Sequence, residues 1–310
     1  TNLLVSAYQK NMMTKVDPEK AYQAMVRNHR PGGMLGMLGS DDNIKFYINK
    51  GYYPGNAGIT LEAAFQDWSL GQMAQKMGKT KDARYYQKRS EGWRKIYNPD
   101  LQLVMPKDAK GKWLHNDPLS NVGWIEANAW QATWSVSHDI SALCDLMGSA
   151  DIFTDKLNYA FEQSDKDDFV FGYGSGYVSY ANQPGCSNAH VFNLAGKPWL
   201  SQKWVRKVGA QAYGSISPDR GYGGHDEDQG QMGGVSALMA LGLFSVQGTN
   251  SVDPSYELTS PVFDEITIKL NPTYYSGKEF KIKTHNNSRE NCYIQKSKLN
   301  DKEFNRYWML

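Results

Sequence analysis

Cysteine is scarce in this chain of 310 residues, which contains only Cys144, Cys186 and Cys292. Their wide spacing gives neither the close pairs of a zinc site nor the density of a disulfide-stabilised scaffold. The sequence therefore predicts either buried thiols throughout or one disulfide bond with a spare thiol.

An excess of charge of one sign is also absent. The sequence has 34 basic and 32 acidic residues, a formal net charge of +2, and no block of like charges. Nucleic acid and anionic membranes are therefore excluded as expected partners, because both require a concentrated basic surface. The apolar run 238–244 is far shorter than the roughly 20 residues of a membrane-spanning helix, so no membrane span is predicted.

Signatures of several enzyme classes are missing as well. No Gly-x-Ser-x-Gly elbow and no glycine-rich phosphate loop lies between a predicted strand and a predicted helix. The histidines also lack the close His/Cys spacing of a zinc site. Hydride transfer and phosphoryl transfer therefore lose support as functions.

Helical patterns follow one another from residue 1 to about residue 246. Apolar residues recur three and four positions apart, as in Leu61, Ala64 and Trp68, with Thr60 as the expected N-cap. Further helices are predicted at 18–29, 81–96, 126–147, 152–164, 198–212 and 229–245. This succession indicates stacked helical hairpins, so 1–246 is predicted to be a helical domain.

The pattern changes after Gly248. Residues 263–270 and 279–284 alternate apolar and polar side chains with a period of two, which predicts half-buried strands. The loop 271–278 between them suits a hairpin. The segment 247–310 is therefore predicted to be a β-rich C-terminal element of a chain that is mainly α.

A carboxylate near two tryptophans is the first candidate for chemistry. Glu126, Trp130 and Thr133 are spaced four and three residues apart, which places them on one face of the predicted helix. Because Trp124 and Trp130 flank it, Glu126 is expected to be partly desolvated, which favours the protonated form that a general acid needs. The two aromatic rings also suit a sugar. The alternative is that Glu126 caps a helix whose tryptophans fill the core.

Consecutive carboxylates at 226–228 form the second candidate, between a glycine-rich turn and a predicted helix. Anions at a helix N-terminus are stabilised by the helix dipole, so Asp226 or Asp228 is expected to stay ionised and to act as a base on water. Ordinary helix capping explains the same acids without any chemistry.

The segment 180–193 is rich in amide side chains and is the third candidate. Neutral oxygen ligands of this kind suit a hard cation such as calcium. Taken alone, the same residues suit a turn at least as well.

Taken together, these segments resemble glycoside hydrolase family 92, a group of calcium-dependent α-mannosidases, from about Tyr52 to Leu299. The family's general-acid motif is Gly-aromatic-x-Glu-Gly-Asn-Ala-Trp-Gln-x-Thr-Trp followed by His-Asp. Residues 123–134 and the pair His138-Asp139 match it. The resemblance therefore implies that Glu126 is the general acid.

Two further motifs of the family are matched. Its Asp-Glu-Asp-x-Gly-Gln stretch corresponds to 226–231, which implies that Asp228 is the general base and that Asp226 helps to hold the water. Its calcium-site motif Asn-Glu-Pro resembles Asn182-Gln183-Pro184, which implies Asn182 and Gln183 as metal ligands. The sequence departs from the family at Gln183, where glutamate is usual, and at 186–187, where a His-rich pair is common.

The resemblance implies a partial (α/α)6 toroid followed by a small β-rich C-terminal element. Family members are much longer and carry an N-terminal β-sandwich, so the helical domain is expected to be incomplete at its N-terminus. The implied reaction is inverting hydrolysis of a terminal α-linked mannose from a glycan, with the two carboxyl groups about 6.5–9.5 Å apart. Calcium is expected to hold the O2 and O3 hydroxyls of that mannose, and a calcium-dependent enzyme acting on glycans suits the periplasm or secretion.

Two alternative functions stay open on the sequence. The first is another (α/α)6 glycosidase, such as an α-glucosidase or a trehalase, because these also use a distant pair of carboxylates. The second is a non-catalytic carbohydrate-binding relative, which the altered Asn182-Gln183 motif keeps possible. The presence of both Glu126 and Asp228 argues against the second.

Overall fold

The computed structural model describes residues 1–33, 40–217 and 230–310. The chain divides into two compact units. The first comprises Thr1–Ser149, Tyr173–Tyr177 and Gln247–Pro254, and the second comprises Ala150–Gly172, Val178–Val246 and Ser255–Leu310. The domain boundary predicted at residue 246 rests on the change from helix to strand and stays a prediction.

The first unit is built mainly from helices. They are α1 (Asn2–Gln9), α2 (Pro18–Asn28), α3 (Asp41–Lys50), α4 (Ala57–Lys76), α5 (Thr80–Ser90), α6 (Ala129–Ala132) and α7 (Ile140–Met147), with 3-10 turns at Glu91–Ile96 and Thr133–Ser135. Strands β1 (Tyr97–Asn98) and β2 (Leu103–Val104) pair antiparallel. A core packs α1, α2, α4 and α5 together through side chains such as Val5, Tyr22, Met25, Leu70 and Met73.

Side-chain caps explain where these helices start. Asp17 Oδ1 accepts the Glu19 N–H at 2.9 Å, and Pro18 occupies the first turn of α2. Asn56 caps α4 by accepting the Ile59 N–H at 2.9 Å. The prediction of Thr60 as the N-cap of α4 is therefore wrong.

The Thr60 hydroxyl lies in the first turn of α4 and makes other contacts. Its Oγ1 accepts the Tyr53 N–H at 2.9 Å and donates to Asn56 O at 3.1 Å. Asn56 begins the helix one turn earlier because a free asparagine side chain caps well, whereas Thr60 is engaged with the preceding loop.

The helix predicted over 126–147 is interrupted, because α6 ends at Ala132 and α7 starts only at Ile140. Thr133 Oγ1 donates to Ala129 O at 2.6 Å, and Trp134 Nε1 donates to the carbonyl of Trp130 at 2.6 Å. Side chains that take the carbonyls of a short helix compete with its backbone N–H donors. The apolar periodicity therefore predicted one helix where the structure has two.

The second unit combines helices with short strands. Its helices are α8 (Ala150–Asp165), α9 (Val191–Leu194), α10 (Pro198–Gln211) and α11 (Gln231–Leu241), with 3-10 turns at Gln183–Gly185 and Asn188–His190. Its strands are β3 (Leu243–Phe244), β4 (Tyr256–Leu258), β5 (Glu265–Lys269), β6 (Glu279–Lys283), β7 (Lys298–Leu299), β8 (Lys302–Glu303) and β9 (Trp308–Met309). The strand order of one sheet is β3-β4-β9, and β5-β6 and β7-β8 form separate antiparallel pairs.

Most elements predicted from periodicity are confirmed. The helices predicted at 18–29, 152–164 and 198–212 correspond to α2, α8 and α10, and the predicted hairpin is β5-β6 with Ile266 opposite Ile282. The last helix is shorter than predicted, because Gly242 takes a left-handed φ of +71° that ends α11 before β3. The predictions of a mainly α chain and a β-rich C-terminal element are confirmed.

In the described ranges no helix is long and apolar enough to cross a membrane. The described cysteines Cys144, Cys186 and Cys292 are all free thiols, the first two buried. The prediction of buried thiols is therefore confirmed for Cys144 and Cys186, whereas Cys292 is a half-buried free thiol.

Candidate active site

The loop that carries Glu126 contains two residues in the left-handed region of φ. Gly123 has φ +81°, and a Cβ there would lie 2.6 Å from Pro106 Cβ, so only glycine fits. Glu126 has φ +53° although it is not glycine, and its side chain is exposed. A conformation of this kind costs on the order of 1–3 kcal/mol, and eight other described non-glycine residues also have φ between +50° and +62°. The backbone at Glu126 is therefore in a less common conformation, and the motif match is what makes this residue the functional candidate.

Asn128 starts the helix that follows this loop. Its Oδ1 accepts the Gln131 N–H at 3.1 Å, so α6 begins after Asn128 and Glu126 lies outside it. The prediction that Glu126, Trp130 and Thr133 share one helical face is therefore wrong. Asparagine is among the preferred N-caps, and the left-handed φ of Glu126 does not fit a right-handed helix.

A later segment of the same unit, Tyr173–Tyr177, lies against this loop. Asn128 Nδ2 donates to Gly174 O and to Gly176 O, each at 2.9 Å. The ring of Trp130 packs on the ring of Tyr177 with their centroids 5.1 Å apart. The conformation of the loop around Glu126 is therefore supported by residues distant in sequence.

The two tryptophans predicted to bind sugar differ in exposure. Trp124 is only 8% exposed, and its Nε1 has no hydrogen-bond partner within the described residues. Trp130 is half-buried against Tyr177. Sugar stacking by either ring stays a prediction, and the exposed area favours Trp130.

The His-Asp pair that completes the acid motif lies between α6 and α7. Asp139 Oδ2 forms an ion pair with Arg94 Nη2 at 2.9 Å. His138 Nε2 lies 3.3 Å from Ser90 O, and burial lowers the pKa of His138 to about 4. A neutral imidazole and a paired carboxylate give this motif a structural role in the first unit.

The segment around Asn182, in the second unit, is more enclosed. The buried Asn182 Oδ1 accepts the Gln183 N–H at 2.9 Å and starts the turn Gln183–Gly185. Cys186 Sγ donates to Asn182 O at 3.5 Å and lies 4.0 Å from Met232 Sδ. Gln183 is half-buried. The structure therefore brings both predicted metal ligands together at one turn.

These amide oxygens fit calcium as part of a ligand set. Calcium takes six to eight oxygen ligands, and neutral amide oxygens suit it better than they suit zinc or copper. Among the described residues no group of three or more His, Cys, Asp and Glu side chains is placed to hold a metal ion. Calcium binding by the neutral amide oxygens of Asn182 and Gln183 stays a prediction.

The predicted general base lies in the segment 218–229, outside the described residues. Both Asp226 and Asp228 belong to this segment. The separation expected between the carboxyl groups of Glu126 and Asp228 stays a prediction.

A buried ion-pair cluster in the first unit escaped prediction from the sequence. Asp67 on α4 accepts hydrogen bonds from Arg89 Nε at 2.5 Å and from Tyr47 Oη at 2.7 Å, and its Oδ1 lies 2.7 Å from His29 Nδ1. The charged Arg89 lowers the pKa of Asp67 against the opposing effect of burial. The signal in the sequence was an aspartate inside an apolar stripe, and its role is to join α2, α3, α4 and α5.

Two buried titratable groups of the second unit also escaped prediction. The His190 ring stacks on Phe244 with their centroids 4.0 Å apart, and neither ring nitrogen has a partner within the described residues. Burial lowers the pKa of His190 to about 3. Glu257, 2% exposed, accepts the Val246 N–H at 2.8 Å, and burial raises its pKa to about 7. No sequence pattern identified either group as buried.

Comparison with known proteins gives consistent results. A model of the glycosyl hydrolase family 92 catalytic domain matches residues 1–310. A curated relative, an uncharacterized secreted glycosidase of Arthroderma benhamiae, is 25% identical, and the match covers 99% of this chain and 42% of the relative.

Solved structures extend this similarity to the fold. The family 92 inverting mannosidase of Bacteroides thetaiotaomicron VPI-5482 is 29% identical with a TM-score of 0.83, and the match covers 99% of this chain and 43% of that one. A family 92 α-mannosidase of Bacteroides thetaiotaomicron is 23% identical with a TM-score of 0.83 over 99% of this chain and 39% of that one.

The chain thus spans about two fifths of the length of these relatives. The predicted fold class, mainly α with a small β-rich element, is confirmed by the likeness to the solved structures, and the toroidal arrangement of the helices stays a prediction. Because the family model matches the chain from its first residue to its last, the chain belongs to glycosyl hydrolase family 92.

Proposed function

We propose that this chain is the catalytic domain of an α-mannosidase that releases terminal α-linked mannose from glycans with inversion. Membership of the family supports this, as does the likeness to relatives that are named α-mannosidase and inverting mannosidase. The structural observation that carries the proposal is the exposed carboxylate of Glu126, held at a left-handed φ in a loop fixed by a sterically required glycine.

Glu126 acts as the general acid. Its protonated carboxyl group donates a proton to the glycosidic oxygen while the bond from that oxygen to C1 of mannose breaks. Proton transfer of this kind contributes roughly 10²–10⁴-fold to the rate. The leaving sugar departs as a neutral alcohol, and Glu126 is left as a carboxylate that solvent reprotonates.

Asp228 acts as the general base and Asp226 helps to hold the attacking water. The Asp228 carboxylate accepts a proton from the water as the water oxygen bonds to C1 on the face opposite the leaving group. One water is consumed, and the anomeric configuration is inverted. Inversion requires room for that water, hence a carboxyl separation of about 6.5–9.5 Å.

Calcium is the proposed cofactor, with Asn182 and Gln183 among its ligands. Bound calcium would supply a fixed positive charge that orients sugar hydroxyl groups. Gln183 offers a neutral oxygen where a glutamate is usual in the family, and calcium affinity depends on the number of charged ligands. A calcium affinity lower than that of a site with the usual glutamate is therefore part of the proposal.

The whole protein is proposed to be longer than this chain and to act outside the cytoplasm. Relatives extend well beyond the matched region, and an N-terminal β-sandwich in the same protein is the expected addition. The curated relative is named a secreted glycosidase, which supports secretion, with the periplasm as the equivalent location in a Gram-negative cell.

The central experiment compares Glu126→Gln with the parent enzyme on α-linked mannobioses and on an aryl α-mannoside with an activated leaving group. Glutamine keeps the size of the side chain but cannot donate an acidic proton. Loss of the acid should lower kcat on mannobioses about 10²–10⁴-fold and on the aryl mannoside far less. Glu91→Gln removes an exposed carboxylate of the same unit and serves as the control with unchanged kinetics.

Equal losses on both substrates would contradict the acid assignment. An enzyme that turns over α-glucosides or trehalose but no mannoside would have a different substrate class. Mannose binding without mannose release would identify a non-catalytic relative.

The calcium proposal has a separate test. Chelation should abolish mannobiose hydrolysis and added calcium should restore it. Gln183→Glu adds a charged ligand and should lower the calcium concentration for half-maximal activity about tenfold, because affinity rises with ligand charge. Activity that is insensitive to chelator in both proteins would exclude a calcium role.

A further inference from the structure

The segment Tyr173–Tyr177 is here called the brace. Three of its consecutive carbonyl groups accept hydrogen bonds from two side chains near Glu126. Asn128 Nδ2 donates to Gly174 O and to Gly176 O, both at 2.9 Å. Gln131 Nε2 donates to the carbonyl between them, that of Ser175. Side chains that follow Glu126 in sequence therefore hold the brace by its backbone.

The side-chain amide of Asn128 uses both its donor hydrogens and its oxygen in hydrogen bonds. Both hydrogens of Nδ2 are donated to the brace, and Oδ1 caps α6 by accepting the Gln131 N–H. The side chain is 0% exposed, so it has no surface with which to touch a substrate. Any effect of Asn128 on turnover must therefore act through its neighbours.

The backbone of the brace also contacts the loop that carries Glu126. Gly174 has φ +72°, and a Cβ there would lie 2.8 Å from Asn121 Cβ and 2.9 Å from Ala127 O. Asn121 and Ala127 lie on either side of Glu126 in sequence. The brace is therefore packed against both ends of a short loop whose strained member is Glu126.

We infer that Asn128 is a positioning residue for proton donation, because its two hydrogen bonds to the brace fix the loop that holds Glu126 in its left-handed conformation. The inference rests on the proposed function of Glu126 as the acid. A strained conformation persists only when its surroundings over-determine it. Without the two donated bonds, the loop can relax toward ordinary φ values and carry the carboxyl group away from its working position.

The test uses matched substitutions at two buried asparagines of the first unit. Asn128→Ser keeps an oxygen that caps α6 and removes both bonds to the brace. The control is Asn98→Ser, at a residue 2% exposed whose Oδ1 accepts the N–H groups of Asp100 and Leu101. Serine can accept the same bonds in that turn. The two variants therefore differ in the loss of the brace contacts.

Kinetics on the two classes of mannoside give the decisive measurement, made in the complete enzyme. Asn128→Ser should lower kcat on mannobioses about 10–100-fold, as expected when a supporting hydrogen bond to a catalytic group is lost. Activity on the activated aryl mannoside should fall less than about threefold with KM unchanged, because that leaving group needs little protonation. Asn98→Ser should not discriminate between the substrates.

A second variant guards against simple misfolding. Gln131→Met keeps the length of the side chain and removes the bond to Ser175 O, so it should show the same discrimination at about a third to a tenth of the size. Amide hydrogen exchange should rise in Tyr173–Tyr177 in both Asn128→Ser and Gln131→Met while the rest of the first unit stays protected.

Each outcome bears on a separate claim. If Glu126→Gln discriminates between the substrates and Asn128→Ser does not, the positioning role is refuted and the acid assignment stands. If neither variant discriminates, the acid assignment fails and the positioning role fails with it. Equal losses on both substrates in Asn128→Ser, with unchanged exchange in the brace, would also refute the inference.

Discussion

The segment around Glu126 and the segment around Asn182 differ in the exposure of their candidate side chain and in the contacts that hold it. The first exposes a carboxylate on a strained loop and holds that loop by side-chain bonds to the brace. The second buries Asn182 at a turn closed by its own backbone and by neighbouring sulfur atoms. The role proposed for Glu126 requires a side chain that reaches the substrate, whereas the role proposed for Asn182 requires a fixed oxygen.

The largest expected effect concerns how tightly the Asn182 segment is packed. A Cβ on Gly185 would lie 2.1 Å from Ser179 O, a backbone atom that cannot give way, so Gly185→Ala should lower the free energy of unfolding by about 4 kcal/mol. The control is Gly209→Ala in α10, where a Cβ meets nothing within 4 Å and should stabilise by about 0.5–1 kcal/mol. Similar urea midpoints for the two variants would contradict this account.

Next in size is the buried imidazole of His190. Burial lowers the pKa of His190 from 6.5 to about 3 in the folded chain. Between these two pH values the imidazole is therefore protonated in the unfolded chain and neutral in the folded chain. Stability from this group is present above pH 6.5 and falls by about 1.4 kcal/mol for each pH unit as the pH drops toward 3. His190→Phe should remove that dependence while keeping the stacking on Phe244.

The measurement for His190 is the free energy of unfolding in urea at several pH values between 7 and 4, for the parent and the variant. The difference between the two proteins isolates this group from the other acids. A constant difference across the range would show that the imidazole does not titrate as its burial predicts.

Glu257 should give a smaller effect of opposite sign in the same unit. Its pKa is raised from 4.5 to about 7, so the folded chain keeps a proton that the unfolded chain has lost. The stability from this group is present below pH 4.5 and is lost as the pH rises to 7. Glu257→Gln should therefore be more stable than the parent by about 3 kcal/mol at pH 8 and similar to it at pH 4. Thermal unfolding at both pH values checks this, and a variant less stable at pH 8 would oppose it.

The smallest effect concerns the strain at Glu126. Glycine accepts a φ of +53° without penalty, so Glu126→Gly should raise the free energy of unfolding by about 0.5–1 kcal/mol relative to Glu126→Gln. Both variants lack the acid, so their difference reports the backbone alone. Equal stabilities would indicate that the loop relaxes at no cost and would weaken the contrast with the Asn182 segment.

Local patterns predicted much of the fold. The periods of 3.6 and 2 located α2, α8, α10 and the β5-β6 hairpin, because each of these elements buries one regular face. The helix starts predicted at residues 126 and 60 were wrong. Side-chain oxygens of Asn128 and Asn56 cap the helices instead. Capping is a competition among nearby polar side chains, and periodicity does not report its outcome.

The candidate residues could be predicted from the sequence, but the hydrogen bonds that hold the loop around Glu126 could not. The motif order indicated Glu126, Asn182 and Gln183, and the structure gives the first an exposed side chain and the other two a shared turn. The brace was not predictable, because its contacts join residues far apart in sequence through backbone carbonyls that carry no side-chain signature. The roles of these residues stay predictions.

By itself the sequence determined the mainly α fold, the β-rich end and the choice of Glu126, because hydrophobic period and motif order are properties of neighbouring residues. Only the tertiary structure decided that Glu126 is strained, that Asn128 holds the brace, and that His190 and Glu257 are buried. Burial, pKa shifts and hydrogen bonds between residues far apart in sequence depend on the tertiary contacts of the folded chain. A local sequence pattern does not specify those contacts.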